Sequence, residues 1–159
     1  MALKIENEEI VGTIDDLQDK LEGKLPVDRL ELFKLVNSWG RERTFSIYND
    51  DDNNEIIKIE ECVPNQCYNL SNLDVSQITN MNGIFSFSEF KGDIGNWNVS
   101  NVVNMDNMFY NAEKFNSPLN NWDTSNVTTM KSTFKNSTLF NQPIGNWNTS
   151  KVVNMKHMF

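Results

Sequence analysis

From residue 73 onward, apolar side chains recur at fixed intervals, separated by runs of Asn, Ser, Thr and Asp. Trp97, Trp122 and Trp147 stand 25 residues apart, and Leu73 holds the same slot 24 residues before Trp97. The frame repeats with them: Ile78, Val102, Val127 and Val152; Met81, Met105, Met130 and Met155; Phe85, Phe109, Phe134 and Phe159; Phe90, Phe115 and Phe140; Ile94, Leu119 and Ile144. A period of this size marks stacked repeats, in which one unit cannot bury its apolar face but a stack builds a continuous core. The predicted core is therefore Trp97, Val102, Met105, Phe109, Phe115, Leu119, Trp122, Val127, Met130, Phe134, Phe140, Ile144 and Trp147. Short strands are expected near Leu119–Trp122 and Val102–Met105, with a helical turn through Met108, Phe109 and Tyr110. There are three full rows and a fourth that stops at Phe159. An open edge there predicts either a truncated fragment or self-association through that end.

Two polar columns follow the same period: Ser76, Ser100, Ser125 and Ser150, and Asn96, Asn121 and Asn146. Ser and Asn bond to nearby backbone and favour turns, so these columns are expected to satisfy backbone groups at the corners of a tight stack. Between the core columns the residues vary. Asn101, Asn126 and Lys151 share one such slot, and Asp106, Lys131 and Lys156 another. Asn101, Asp106, Lys131, Lys151 and Lys156 are thus candidate partner-binding positions.

Ahead of the repeats the periodicity changes. Thr13 to Gly23 reads as a short helix, with Asp15 and Asp16 at its positive end and Gly23 as its stop. Pro26 to Gly40 reads as a second, with Val27, Leu30, Phe33, Val36 and Trp39 at helical spacing. Phe45/Ile47 and Ile57/Ile59 alternate as in strands, across a polar hairpin loop at residues 49–54. Asp50, Asp52, Asn54 and Glu61 are a partial match to a calcium loop, but Glu55 occupies the glycine position of such a loop, and turn chemistry accounts for it without metal.

Charge divides the chain at the same boundary. Residues 1–62 hold 16 acidic and 8 basic side chains, and residues 63–159 hold 6 of each. The whole net charge of −8 therefore lies in the N-terminal unit. This predicts an acidic α/β capping unit over residues 1–64 and a repeat unit over 65–159, an α+β chain in which a short right-handed leucine-rich-repeat-like solenoid follows its cap. It argues against nucleic-acid binding, which asks for a basic patch. No apolar run approaches the ~20 residues of a membrane span, and the N-terminus has no apolar signal region. The expectation is a cytoplasmic protein as given, or a surface protein if the native chain carries an export signal. Cys62 and Cys67 are not expected to form a structural disulfide without export, and with His157 they make no zinc set. Enzyme signatures and cofactor motifs are absent.

The frame Trp-Asn/Asp-Val/Thr-Ser-Asn/Lys-Val-x-Asn/Thr-Met-x-x-Met/Thr-Phe, followed by Phe-Asn-x-Pro-Ile/Leu, resembles the repeat of BspA-type leucine-rich-repeat surface proteins. The resemblance covers residues 73–159. It implies a solenoid at a bacterial surface that binds a protein or glycan partner without catalysis. An alternative expectation comes from the charge asymmetry and the missing signal: a small acidic inhibitor, compatible with a phage-borne gene, whose Asp50–Glu61 region, with Asp50, Asp51 and Asp52, imitates phosphate toward a nucleic-acid-processing or host-defence enzyme.

Overall fold

The computed structural model describes the backbone of residues 4–6, 9–11, 14–38, 45–48, 55–59 and 69–159, and the side chains of 18–37 and 69–159. Among the described residues, the N-terminal elements are two antiparallel pairs and two helices. Strands β1 (Lys4–Glu6) and β2 (Glu9–Val11) pair, a hairpin with no sequence signal strong enough to announce it. Helices α1 (Ile14–Leu21) and α2 (Arg29–Ser38) follow, then β3 (Phe45–Tyr48) paired with β4 (Glu55–Ile59).

Helix α2 begins at Arg29, not in a turn started by Pro26. Asp28 caps it: its Oδ1 accepts from the Glu31 N–H at 2.8 Å, while Glu31 Oε2 accepts from the Asp28 N–H at 2.9 Å. This reciprocal box satisfies two otherwise orphaned donors. Pro26 instead lies in extended backbone, bridged in parallel to Asp74. Val27 and Val36 are buried as the spacing suggested, but Leu32 and Leu35 join them while Leu30 and Phe33 face solvent, so the buried face is rotated from the expected one. Trp39 lies outside the described residues, as do Thr13, Cys62 and Cys67.

The buried α2 face joins Leu70, Leu73 and Val75 in a cluster that runs on through the repeats. Four rows can be followed: 73–96, 97–121, 122–146 and 147–159. Parallel bridges link them at a single position, Asn80 to Asn104 to Thr129 to Asn154. The expected strands at Leu119–Trp122 and Val102–Met105 do not form. At the first, Trp122 N–H turns back to the Leu119 carbonyl at 3.2 Å. At the second, pairing ends at the bridge because the backbone then enters successive turns. In the second row Met108, Tyr110 and Ala112 donate back to Met105, Asn107 and Phe109. Asn107 and Asn111 have φ of 54°. A left-handed residue at every fourth position interrupts both a pleat and a helix, so the expected helical turn is a chain of tight turns instead.

These turns leave alternate N–H groups free to reach the next row. Met81, Gly83, Phe85 and Phe87 donate to the carbonyls of Asn104, Asp106, Met108 and Tyr110, and Asn107, Phe109 and Asn111 donate onward to Lys131, Thr133 and Lys135. Rows are therefore locked in register by backbone, and side chains of one slot stack. Phe85, Phe109 and Phe134 stack at 5.1 and 5.2 Å between centroids. Each repeat tryptophan donates its indole N–H to a carbonyl 27 or 28 residues earlier: Trp97 to Leu70, Trp122 to Ile94 and Trp147 to Leu119, at 2.8, 3.0 and 2.9 Å. Val102, Met105, Phe109, Phe115, Leu119, Trp122, Val127, Met130, Phe134, Trp97 and Trp147 are buried, whereas Phe140 and Ile144 are half-buried against the cluster.

One left-handed position is held by Ser132 at φ 55°. Glycine enters that region without a Cβ penalty, and L-residues other than Asn and Asp avoid it. Ser132→Gly is expected to raise stability by about 0.5–1 kcal/mol, read as a higher urea midpoint at unchanged slope.

Candidate functional site

The outward slots of the rows are the surface available for recognition, and the structure sorts the candidate residues among them. Two columns turn out to have structural work. At the slot after each tryptophan position, Asp74, Asn98, Asp123 and Asn148 accept the N–H of the serine two residues on, at 3.0, 3.1, 3.0 and 3.0 Å. These side chains make the corners. The serines supply the N–H and, in the first two rows, a carbonyl: Asn101 Nδ2 donates to the Ser76 carbonyl and Asn126 Nδ2 to that of Ser100, each at 2.8 Å. Asn101 is therefore a rung between rows. Lys151 continues the column by donating to Asn126 Oδ1 at 2.7 Å. The Ser125 hydroxyl and backbone N–H hold the Asp123 carboxyl below its ordinary pKa, with attraction to Lys151 adding to it. Of the corner asparagines, Asn146 also bonds back a row, to the Asn120 carbonyl at 2.6 Å.

Asp106 has a structural task that only the stack reveals. At the bridge slot, Asn80, Asn104 and Asn154 each accept the N–H two residues on. The third row has Thr129 there, whose hydroxyl donates to Asp106 instead. Asp106 Oδ1, one row back, takes over: it accepts from the Lys131 N–H at 2.7 Å and from the Thr129 hydroxyl at 2.5 Å. Asp106 compensates for a threonine, which removes its carboxylate from the free recognition surface.

Lys131 and Lys156 share a slot on adjacent rows and are exposed. Three positions before that slot, Val103 and Val153 are also exposed, the latter at 88%. The backbone there is paired, since Thr128 donates to the Val103 carbonyl at 2.9 Å and Val153 to that of Thr128 at 2.8 Å. Farther along the rows an aromatic group was missed by the sequence reading. Phe87 stands edge-on to Tyr110 with centroids 5.4 Å apart, and Lys135 Nζ lies 5.9 Å from the Tyr110 centroid. Its signal in the sequence was the break in the 25-residue period, since the first row is one residue short between Phe85 and Phe90.

A groove of about 420 Å³ lies where α2 meets the first row, lined in part by Lys20, Arg29, Glu31, Gln77 and Asn80. Its polar groups are largely committed to one another. Lys20 Nζ pairs with Glu31 Oε1 at 2.5 Å in a site where both side chains are nearly sealed from water. Arg29 donates to the Asn82 carbonyl at 2.6 Å, fastening the helix to the row.

Among the described residues, no group of three His, Cys, Asp or Glu is placed to hold a metal ion. No described helix is long and apolar enough to cross a membrane. Asp50, Asp51 and Asp52, and with them the calcium-loop and phosphate-mimic readings, lie outside the described residues.

A family model described as "Mycoplasma protein of unknown function, DUF285" matches residues 57–159. No curated protein and no solved structure matches the chain.

Proposed function

The chain belongs to the DUF285 family, and from that premise we propose that it is a non-catalytic binding module. Its rows would form a short right-handed solenoid of the leucine-rich-repeat kind, similar to the BspA-type surface repeat, with residues 1–64 as the α/β cap. The partner would be a protein or a glycan, met at the outward slots, and the role would be adhesin-like.

One observation carries this reading: inward slots repeat while outward slots diverge. The methionine column reads Met81, Met105, Met130 and Met155, yet one position further on stand Asn82, Asp106, Lys131 and Lys156, of which Asp106 is spent between rows and the two lysines are exposed. A backbone locked row to row holds those varied side chains at fixed spacing. Preorganisation of this kind lowers the entropy lost on association. The cap reading has support of the same sort, since Val27, Leu32, Leu35 and Val36 share one buried cluster with the first row.

The expected outcome of charge reversal separates display from folding. Lys131→Glu with Lys156→Glu should weaken capture of the full chain on arrays of purified proteins and glycans by about tenfold, the size of a 1.4 kcal/mol change. Stability should stay within about 0.5 kcal/mol, as for ordinary surface changes. Unchanged capture would remove this face from the reading, and turnover of an arrayed compound would replace it.

A further inference from the structure

We propose that Phe87, Tyr110 and Lys135 form a platform for a glycan that carries a carboxylate, an inference that rests on the binding-module reading. Phe87 is 63% exposed and its backbone sits at φ 57°. The row imposes that conformation: the Phe87 N–H donates to the Tyr110 carbonyl, while the next N–H, of Ser88, turns back to Phe85. The same slot holds Asn111 and Asn136 at φ 54° and 61°. Asparagine tolerates this region and a bulky aromatic residue does not. Phe87 therefore accepts backbone strain and leaves apolar surface in water. Stability accounts for neither, and a ligand that covers the ring accounts for both.

The surroundings define the ligand. Phe87 and Tyr110 meet edge to face at 76°, presenting apolar ring surface suited to the C–H face of a sugar. Asn136 Nδ2 donates to Asn111 Oδ1 at 2.8 Å, one row from Tyr110, and amides retain further donors and acceptors for hydroxyl groups. Lys135 supplies charge. Among the described residues no carboxylate pairs with it. That ammonium complements a carboxylate on the bound sugar. A peptide adding as a strand would need an unpaired edge, and here the backbone is spent: Phe87 N–H bonds to Tyr110, and Asn111 N–H to Lys135.

The test titrates the full chain with sialyllactose, a hexuronate tetrasaccharide and neutral lactose, read by saturation-transfer NMR and calorimetry. At least one acidic glycan should bind about tenfold more tightly than lactose, the size of one charge-assisted contact between an ammonium and a carboxylate. Lys135→Gln should erase the preference for acid. Phe87→Asn should lose about tenfold in affinity and yet melt about two degrees higher, because it relieves the strained backbone. A lower melting temperature for Phe87→Asn would show that Phe87 serves packing, and equal or absent binding of all three glycans would overturn the platform. In that event, capture that still depends on Lys131 and Lys156 would leave the binding-module reading standing. Loss of that capture as well would remove both.

Discussion

Phe109→Ala is expected to destabilise the chain by roughly 3–5 kcal/mol, as large aromatic truncations in cores do. Phe109 is fully buried and stacks on three phenylalanines. Phe85 and Phe134 lie above and below at 5.1 and 5.2 Å, and Phe115 lies at 4.2 Å within the same row. Its backbone N–H also bonds to the Thr133 carbonyl of the next row. The neighbouring rows are held in register by such bonds, so they cannot close over the cavity without breaking them. For a chain of this length the loss should lower the melting temperature by about ten degrees. A shift under two degrees would show that the phenylalanine column is not where stability resides. Phe159→Ala is the internal control, since that ring is 74% exposed and should cost far less.

Lys20→Met is expected to cost roughly 3–5 kcal/mol, because it removes one member of a buried pair and leaves the other charged and unpaired. The Lys20 and Glu31 side chains are only 6% and 8% exposed. Glu31 cannot simply turn to solvent, because its other oxygen holds the Asp28 N–H in the cap of α2. Adding Glu31→Gln to Lys20→Met should recover part of the loss: the amide oxygen can still accept from Asp28, and no buried charge remains. Urea unfolding of the wild type, both single variants and the double variant closes the cycle. A double variant no more stable than Lys20→Met alone would mean that the charge of Glu31 is not what the lysine offsets.

The two predictions differ in how they could be reached. The phenylalanine columns are visible in the chain because a repeat writes the same inward residue at the same slot each time. No knowledge of neighbours is needed to see that Phe85, Phe109 and Phe134 are equivalent. The helices were also legible, since amphipathic spacing and turn residues act within a few positions of each other. Their registers were less so: α2 starts where Asp28 and Glu31 cap each other, and its buried face takes in Leu32 and Leu35 in place of Leu30 and Phe33.

The partner slots were harder, because exposure and freedom are different things. Asp106 varies along its column, as a recognition residue would, yet its carboxylate answers a threonine 23 residues later in the chain. Asn101 varies in the same way and ties its row to Ser76. Phe87 and Tyr110 are 23 residues apart as well, and nothing local marks them as neighbours. The sequence by itself determined the period, the inward columns and the concentration of acid ahead of residue 63, because each is a property of residue order alone. Only the tertiary structure decided which polar side chains are spent between rows and which aromatic rings meet outside them. Those depend on hydrogen bonds between rows, and on left-handed turns that recur at the same slots even where Phe87 or Ser132 replaces the Gly or Asn that favours them.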